Sequence, residues 1–233
     1  MSNTISVIIP LYNQMQHLEK CLVSIVKQSS HPLEIVLVND GSEDAARDEI
    51  ESKARTAAAD VPIKIFHQQN QGAPSARNRG FAKSSGSYVL FCDADIVMNP
   101  HMLQTMTETL SAHPDASYAY SSFRFGWKKF RLGAFSEQKL REMPYIHTAS
   151  LIRREHFPGF DERVSRLQDW DLWLTMLEQG HAGVWIDKVL FVVRSGGTMS
   201  RWLPSFLMKS GRGKQSRAYH DAVLKIKSKH GVQ

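Results

Sequence analysis

Short runs rich in apolar residues alternate with segments of helical character along the first half of the chain. Runs of this kind without strict alternation are typical of strands buried on both faces of a sheet. They are ISVIIPLYN, EIVLVNDGS, PIKIFHQQ and YVLFCDAD, at 5–13, 34–42, 62–69 and 88–95. Apolar residues three or four apart, good helix formers or an early proline mark the helical segments. These are 14–28, 43–59, 73–85 and 100–113.

This alternation predicts the α/β class, with right-handed crossovers, a mostly parallel sheet and helices on both of its faces. We expect a single three-layer α/β/α domain. Ligands of such sheets bind outside the carboxyl ends of the strands. The first, second and fourth runs end in the polar clusters PLYN, NDGS and DAD. The sequence therefore predicts one crevice where these clusters meet.

The second half of the chain is less regular. We expect a strand at 117–125, an aromatic and basic loop at 126–135, a helix at 165–181 and a strand at 182–194. We expect this domain to span 1–200, in two halves, 1–98 and 99–200. The remaining segment, 201–233, is a basic tail or helix. Two interpretations fit it about equally: a segment that lies on an anionic membrane surface, and a helix that packs on its own domain.

The composition narrows the function only a little. The 233 residues are 42% hydrophobic and carry a net charge of +6, concentrated in 123–131 and beyond Arg201. Such patches suit phosphate-bearing substrates, nucleic acid or an anionic membrane. Cys21 and Cys92 lie in apolar segments, which favours buried reduced thiols and a cytosolic setting. We see no signal-peptide pattern in 1–30 and no apolar run near the roughly 20 residues that span a bilayer.

Asp93 and Asp95 are two residues apart at the end of the fourth strand, so both carboxylates can reach one ligand. Mg²⁺ and Mn²⁺ take oxygen ligands, often one or two carboxylates together with substrate phosphates. A solvated turn or helix cap explains the same pair. Asp40, in VNDGS, is open to two interpretations as well, as an acceptor for a base N–H or as part of a strand-to-helix turn.

Further charged residues belong to two other segments. Arg77 and Arg79, in GAPSARNRG, suit diphosphate or base contacts, although one of them fits better on a solvated helix face. Asp169 and Asp171 flank a tryptophan in LQDWDLWL. Either aspartate could be a general base with a raised pKa, or a first-turn acid that complements the helix dipole. We assign at least Trp173 to the core.

Taken together, these motifs resemble family 2 of the inverting glycosyltransferases. They stand in family order as SVIIPLYN, VNDGS, GAPSARNRG, DAD and LQDWDLWL, and the resemblance covers roughly 4–200. It implies a nucleotide-diphosphosugar-binding domain of the glycosyltransferase A type at 1–200, in which 1–98 would bind the nucleotide sugar and 99–200 the acceptor. It also implies a nucleotide-sugar donor, of which a UDP-sugar is our first choice, a divalent Mn²⁺ or Mg²⁺ ion, and inversion at the anomeric carbon.

The resemblance also implies roles for individual residues. The nucleoside pocket would be lined by Pro10, Tyr12 and Asn13, with Asp40 on the base and Arg77 near base or phosphate. Asp93 would approach the ribose or metal-bound water, Asp95 would ligate the metal, and Asp169 would be the catalytic base. The acceptor would be a glycan or a lipid-linked molecule in cell-surface glycan or polysaccharide synthesis. A peripheral contact at the inner face of the cell membrane, through the tail, is compatible with this reading.

Two departures from the family pattern leave other functions open. Gln168 stands where family members usually have Glu before the base, and Ser195 stands about where many have a metal-binding histidine. The chain could therefore be a member that has lost catalysis. A nucleotidyltransferase on a similar sheet is disfavoured because PLYNQ contains no phosphate-binding glycine. A basic polyanion-binding module would leave the polar strand ends unexplained, so we expect no specific nucleic-acid partner.

Overall fold

The structure is a computed structural model, described here for 3–194 and 214–232. The strands are β1 Ile5–Leu11, β2 Glu34–Asp40, β3 Ile63–Gln68, β4 Tyr88–Phe91, β5 Ile96–Met98, β6 Tyr118–Phe125, β7 Lys128–Phe130, β8 Leu151–Arg153 and β9 Gly183–Val193. The helices are α1 Met15–Val26, α2 Arg47–Ala58, α3 Ala73–Ala82, α4 Met102–Ala112, α5 Glu137–Glu142, α6 Gln168–Glu178 and α7 Lys214–His230. A 3₁₀ turn lies at Arg154–His156.

One sheet, ordered β3-β2-β1-β4-β8-β6-β9-β5, runs through the described residues, and β7 pairs with β6. The four N-terminal strands are parallel. β8 is antiparallel to both β4 and β6, so β6 points the same way as β4, and β9 is parallel to β6. The carboxyl ends of β1, β2, β4, β6 and β9 therefore lie at the same edge of the sheet. We call it the site edge.

Alternate side chains of the strands point to opposite sides of the sheet, and helices cover the apolar side chains on both faces. On one face, Ile5, Val7 and Ile9 of β1 pack in a core with α1, α2 and α4. On the other face, Ile8 packs with α3, α5, α6 and α7. The predicted α/β class, three-layer arrangement and mostly parallel sheet are confirmed.

The structure departs from the sequence prediction at short elements. Within the predicted loop at 126–135 it has β7, because Phe123 of β6 and Phe130 of β7 stack with their ring centroids 5.0 Å apart. The three-residue strands β5 and β8 and the six-residue helix α5 were not predicted. They are too short to show a hydrophobic period of their own.

The close fit of α3 on the sheet determines where its arginine side chains lie. A Cβ atom added to Gly80 would come 2.4 Å from Cγ2 of Ile8, so only glycine allows this approach of helix and strand. Pro74 lies in the first turn of the helix, as predicted. Among the described residues, no helix combines the length and the apolarity that crossing a membrane requires.

Candidate active site

The polar residues after β1 and β2 bind each other at the site edge. The backbone N–H of Asn13 donates to Oγ of Ser42 (3.1 Å), and the N–H of Glu43 donates to Oδ1 of Asn13 (2.8 Å). Asn13 has a positive φ of 50°, which asparagine adopts more readily than most residues. Tyr12 is 38% exposed beside it, and Pro10 is half-buried in β1. These residues form an open wall on which a flat ring could rest.

Asp40 is buried at the end of β2 and accepts three hydrogen bonds. Its Oδ1 accepts from Nε2 of Gln68 (2.8 Å) and from the backbone N–H of Gln71 (2.9 Å), and its Oδ2 accepts from the N–H of Gly72 (2.8 Å). Two of these donors belong to the loop that leads into α3. Asp40 therefore fixes that loop against β2, and part of its acceptor capacity remains for another donor.

Arg77 joins the two halves of the site. Its Nη2 donates to Oδ1 of Asp93 (2.6 Å), and its Nη1 donates to Oε1 of Gln168 (2.8 Å). The guanidinium is buried and lies over the ring of Phe160, 5.2 Å from the centroid. Its Nε has no partner among the described residues. This fork links the strand end with the first residue of α6, a geometry that lysine could not reproduce.

The two carboxylates of the Asp-Ala-Asp turn differ in pKa. Burial acts to raise the pKa of Asp93, but the charge and hydrogen bond of Arg77 lower it below its ordinary value. Burial and the charge of Asp93 raise the pKa of Asp95 to about 7. Asp93 is thus held ionised beside Asp95, which resists ionisation. A bound cation would reduce the repulsion between the two carboxylates.

The donor set can hold a metal only in part. No group of three or more His, Cys, Asp or Glu side chains in the described part of the chain is arranged to bind one. Mg²⁺ and Mn²⁺ often take one or two carboxylates with substrate phosphates rather than a complete protein cage. The carboxylates of Asp93 and Asp95 fit that kind of site. Ser195, at the position of the family histidine, lies outside the described residues.

Asp169 lies in the first turn of α6, as predicted. The helix begins after Leu167, which has a left-handed φ of 58° and so turns the chain sharply before the acid. Oδ1 of Asp169 accepts a hydrogen bond from the backbone N–H of Trp170 (2.9 Å). Burial raises the pKa of Asp169, and the nearby His147 and Arg77 oppose the rise. A carboxylate with a raised pKa is suited to accept a proton.

His147 lies within the electrostatic reach of Asp169. Its Nδ1 accepts the backbone N–H of Ala149 (3.0 Å), so the neutral ring carries its proton on Nε2. Nε2 has no hydrogen-bond partner among the described residues. The rings of Phe123 and Phe191 pack on the imidazole with centroids 5.3 and 5.1 Å away. Burial lowers its pKa, against the raising effect of the site aspartates.

The C-terminal helix α7 is tied to α6 by buried charges. Asp171 accepts hydrogen bonds on Oδ1 from Nζ of Lys229 (2.6 Å) and Nε2 of His230 (2.8 Å). The other ring nitrogen of His230 donates to Oε1 of Glu178 (2.7 Å), and Lys229 also reaches Oδ2 of Asp161 (2.9 Å). Since carboxylates only accept, His230 is an imidazolium here. Asp171 is therefore engaged in holding α7.

This packing brings Tyr219 of α7 towards the site. Burial, and then the negative charge of Asp169, raise the pKa of Tyr219. No sequence signal identified this neighbour, because it is 50 positions away from Asp169 along the chain. The outer part of the tail, including Trp202, lies outside the described residues, so the predicted membrane contact there is not addressed by the structure.

Several residues singled out in the sequence lie away from the chemistry. Arg79 binds the carbonyl oxygen of His67 (2.9 Å) and lies over Phe66, so Arg77 is the arginine of the site. Trp170 and Trp173 are fully buried. The predicted assignment of Trp173 to the core is confirmed.

The two cysteines are free and buried, as expected. Sγ of Cys21 and Sγ of Cys92 lie 3.6 Å apart, and both thiols contact the carbonyl oxygen of Asp93. Burial raises the pKa of the Cys92 thiol well above its ordinary value. Both groups are therefore packing elements beneath the Asp-Ala-Asp turn.

Comparisons with known proteins agree with the resemblance. The family model described as Glycosyl transferase family 2 matches residues 6–164. An uncharacterized glycosyltransferase of Rickettsia bellii is 37% identical over 208 residues, which cover 83% of this chain and 29% of that protein. The chain spans about a third of the length of the curated relatives it matches.

Solved structures show the same fold at low sequence identity. Staphylococcus aureus TarS 1-349 in complex with UDP-GlcNAc gives a TM-score of 0.70 at 18% identity, covering 95% of this chain and 70% of that one. The mannosyltransferase PcManGT of Pyrobaculum calidifontis, in complex with GDP-Man and Mn²⁺, gives 0.68 at 20% identity. That match covers 93% of this chain and 61% of the mannosyltransferase. The glycosyltransferase A type of fold predicted from the sequence is thereby confirmed.

Proposed function

The chain belongs to glycosyl transferase family 2, and we propose that it transfers a sugar from a nucleotide-diphosphate sugar to an acceptor hydroxyl with inversion at the anomeric carbon. The observation that carries this proposal is the bridge of Arg77 between Asp93 and Gln168, beside Asp95 with its raised pKa. One buried cation and a pair of acids lie close together here, which supports binding of a metal and a diphosphate. Binding of UDP-GlcNAc and of GDP-Man with Mn²⁺ by proteins of this fold supports it.

The donor nucleoside would bind at the carboxyl ends of β1 and β2. Pro10, Tyr12 and Asn13 form the open wall on which the base or ribose would rest. Asp40 holds the loop before α3 and keeps acceptor capacity for an N–H of the base. A UDP-sugar is the donor we favour, because a uracil ring presents such an N–H beside its carbonyl groups.

Asp95 would bind the divalent ion, Mn²⁺ or Mg²⁺, and Asp93 would act next to it, on the ribose or on water bound to the ion. The ion would neutralise charge on the diphosphate as it leaves. Arg77 adds a buried positive charge fixed by Asp93 and Gln168, so its position costs no reorganisation during the reaction. Because the protein supplies few ligands in its described part, we expect weak metal affinity without nucleotide.

Asp169 would be the catalytic base. It accepts the proton of the acceptor hydroxyl while the acceptor oxygen forms its bond to the anomeric carbon. The bond from that carbon to the diphosphate oxygen breaks, and the electron pair leaves with the diphosphate. Attack from the face opposite the leaving group inverts the configuration, through an oxocarbenium-like transition state as in glycoside hydrolysis.

The acceptor would approach between α6, α7 and the loop that carries His147. The Nε2–H of His147 can donate a hydrogen bond to an acceptor hydroxyl, and Tyr219 borders the same space near Asp169. The acceptor itself is a glycan or a lipid-linked molecule of cell-surface glycan synthesis in our proposal. A peripheral membrane contact through the tail belongs to the same proposal.

Donor turnover tests this function against loss of catalysis. Purified protein is incubated with Mn²⁺, a panel of UDP- and GDP-sugars and a membrane extract as acceptor source, and release of nucleoside diphosphate is measured. The intact chain should release it from one donor class. Asp169→Asn should abolish release of the nucleoside diphosphate and retain donor binding, whereas Arg79→Gln, on the same helix as Arg77 but in contact with no acid of the site, should retain both. Normal turnover in Asp169→Asn would refute the base assignment.

A further inference from the structure

The hairpin of β6 and β7 carries an exposed tryptophan at its tip, the pair Gly126 and Trp127. Trp127 is 91% exposed. A Cβ atom added to Gly126 would meet nothing within 4 Å among the described residues, so the side-chain face of the tip is open at that position. A single exposed apolar side chain is common on protein surfaces. The charges around this one make it informative.

Like charges lie directly opposite each other on the two strands of the hairpin. Arg124 of β6 pairs with Lys129 of β7, and both side chains are exposed. Like charges at such positions repel and destabilise the pairing. Neither side chain makes an ion pair among the described residues. Arg131 adds a third exposed cation, whose partner Asp187 is itself half exposed. Among the described residues, no carboxylate neutralises Arg124 or Lys129.

The base of the hairpin is rigid, which holds the tip in place. The ring of Phe123 stacks on Phe130 at 5.0 Å and on Phe191 at 5.2 Å, with interplanar angles of 5° and 4°. The backbone N–H of Gly126 donates to the carbonyl oxygen of Val193 at the end of β9 (3.0 Å). The backbone of the hairpin is therefore already in place, and binding has to order only the side chains of the tip.

The hairpin projects from the same edge of the sheet as the candidate active site. β6 points in the same direction as β4, which leads into Asp93, and the hairpin continues from the carboxyl end of β6. Phe123 and Phe191 also pack on His147, which lies under the influence of Asp169. A surface that binds the tip would therefore face the opening of the site.

We propose that this hairpin binds the surface of an anionic lipid bilayer, with the Trp127 ring at the headgroup level and Arg124, Lys129 and Arg131 on lipid phosphates. Tryptophan is enriched at membrane interfaces because its ring is apolar and its N–H is polar. Basic side chains are attracted to anionic leaflets. The tip is convex and has one aromatic ring, so it matches a flat surface better than a glycan chain, which needs a groove. The proposal does not depend on the transferase reaction.

Vesicle co-sedimentation of the full chain tests the proposal. The vesicles are phosphatidylcholine alone, or phosphatidylcholine mixed equally with phosphatidylglycerol, at low salt. The intact protein should bind only the anionic vesicles. Trp127→Ala should weaken binding roughly tenfold, from burial of about 55 Å² of the indole surface. Arg124→Gln with Lys129→Gln should weaken it by about fivefold per charge. Leu33→Ala, an exposed apolar residue beside the amino end of β2, should bind like the intact protein.

Fluorescence separates the hairpin from the C-terminal tail. Anionic vesicles should shift the tryptophan emission to the blue, and the shift should be lost in Trp127→Phe and kept in Trp202→Phe. The opposite pattern, full binding by Trp127→Ala, or no binding by the intact chain would overturn the proposal. Thermal melting of each variant confirms the fold, and nucleotide binding without vesicles shows separately whether the proposed function holds.

Discussion

The bridge made by Arg77 should contribute measurably to stability, since it joins the strand end of Asp93 to the first residue of α6. Its two hydrogen bonds, to Asp93 and Gln168, involve a charged donor and are worth about 1.5–3 kcal/mol each. Two effects reduce the total. Nε of Arg77 is buried without a partner in the described structure, and the Asp93 side chain is 30% exposed, so water can replace part of the interaction.

We therefore expect Arg77→Met to lower the free energy of unfolding by about 2–3 kcal/mol. Asp93→Asn should cost less, because it also removes the repulsion between Asp93 and Asp95. A double-mutant cycle with Arg77→Met and Asp93→Asn cancels that repulsion and isolates the pair, for which we expect a coupling energy of about 1–2 kcal/mol.

Urea unfolding at pH 7, followed by circular dichroism, measures all four proteins of the cycle. Arg79→Met is the matched control, since Arg79 lies on the same helix but contacts no carboxylate: its Nη1 donates to the carbonyl oxygen of His67 (2.9 Å) and to Oε1 of Gln68 (3.3 Å), and its guanidinium lies over the Phe66 ring. It should cost about 1 kcal/mol. A coupling energy below about 0.5 kcal/mol would show that Arg77 and Asp93 do not act as a pair. The electrostatic account of the site would then fail.

Three further changes test separate contacts. His230→Gln should lower the free energy of unfolding by about 1–2 kcal/mol at pH 6. The difference from the intact protein should shrink as the pH rises, because the hydrogen bonds of His230 to carboxylates outweigh burial and raise its pKa. A difference that grows with pH in urea unfolding would contradict the imidazolium. Gly183→Ala should lower the free energy of unfolding by about 1–3 kcal/mol, since the alanine Cβ would lie 2.3 Å from the buried ring of Tyr118. An unchanged melting temperature would disprove the tight packing. Gln168→Glu should change the free energy of unfolding by less than about 1 kcal/mol, since a carboxylate would strengthen the hydrogen bond from Arg77 but lose the one that Nε2 of Gln168 donates to the carbonyl oxygen of Ser165; a larger change in urea unfolding would refute that geometry.

The sequence predicts the strands that position the site because burial on both faces leaves a continuous apolar run. β1, β2 and β4 are of this kind, and each is followed by polar residues, so the meeting of these residues at one edge follows from topology alone. The position of Asp169 in the first turn of a helix is likewise readable from local pattern. Which of two arginines enters the site is not, because Arg77 and Arg79 are alike in sequence and differ only in helix orientation.

Contacts between distant segments could not be predicted. The ion pairs of α7 with α6 join residues 58 and 59 positions apart, and no local pattern encodes such pairing. The approach of His147 to the site depends on an irregular loop, which is held by hydrogen bonds within the loop and by one from the Trp173 side chain to the carbonyl oxygen of Ile146. The hairpin strand β7 has two lysines and one phenylalanine, which gives no alternation to read. Its existence depends on the stacked Phe123 and Phe130 rings.

The central claim, that the acids at the end of β4 bind a nucleotide diphosphate with a metal ion, is tested most directly by thermal shift. The intact protein is melted with UDP, GDP or TDP, each with and without Mn²⁺, beside Asp95→Asn. A ligand that binds the folded state raises the melting temperature. The account predicts a rise with one nucleotide, dependent on Mn²⁺ and absent in Asp95→Asn. No rise with any nucleotide, or an equal rise in Asp95→Asn, would contradict it.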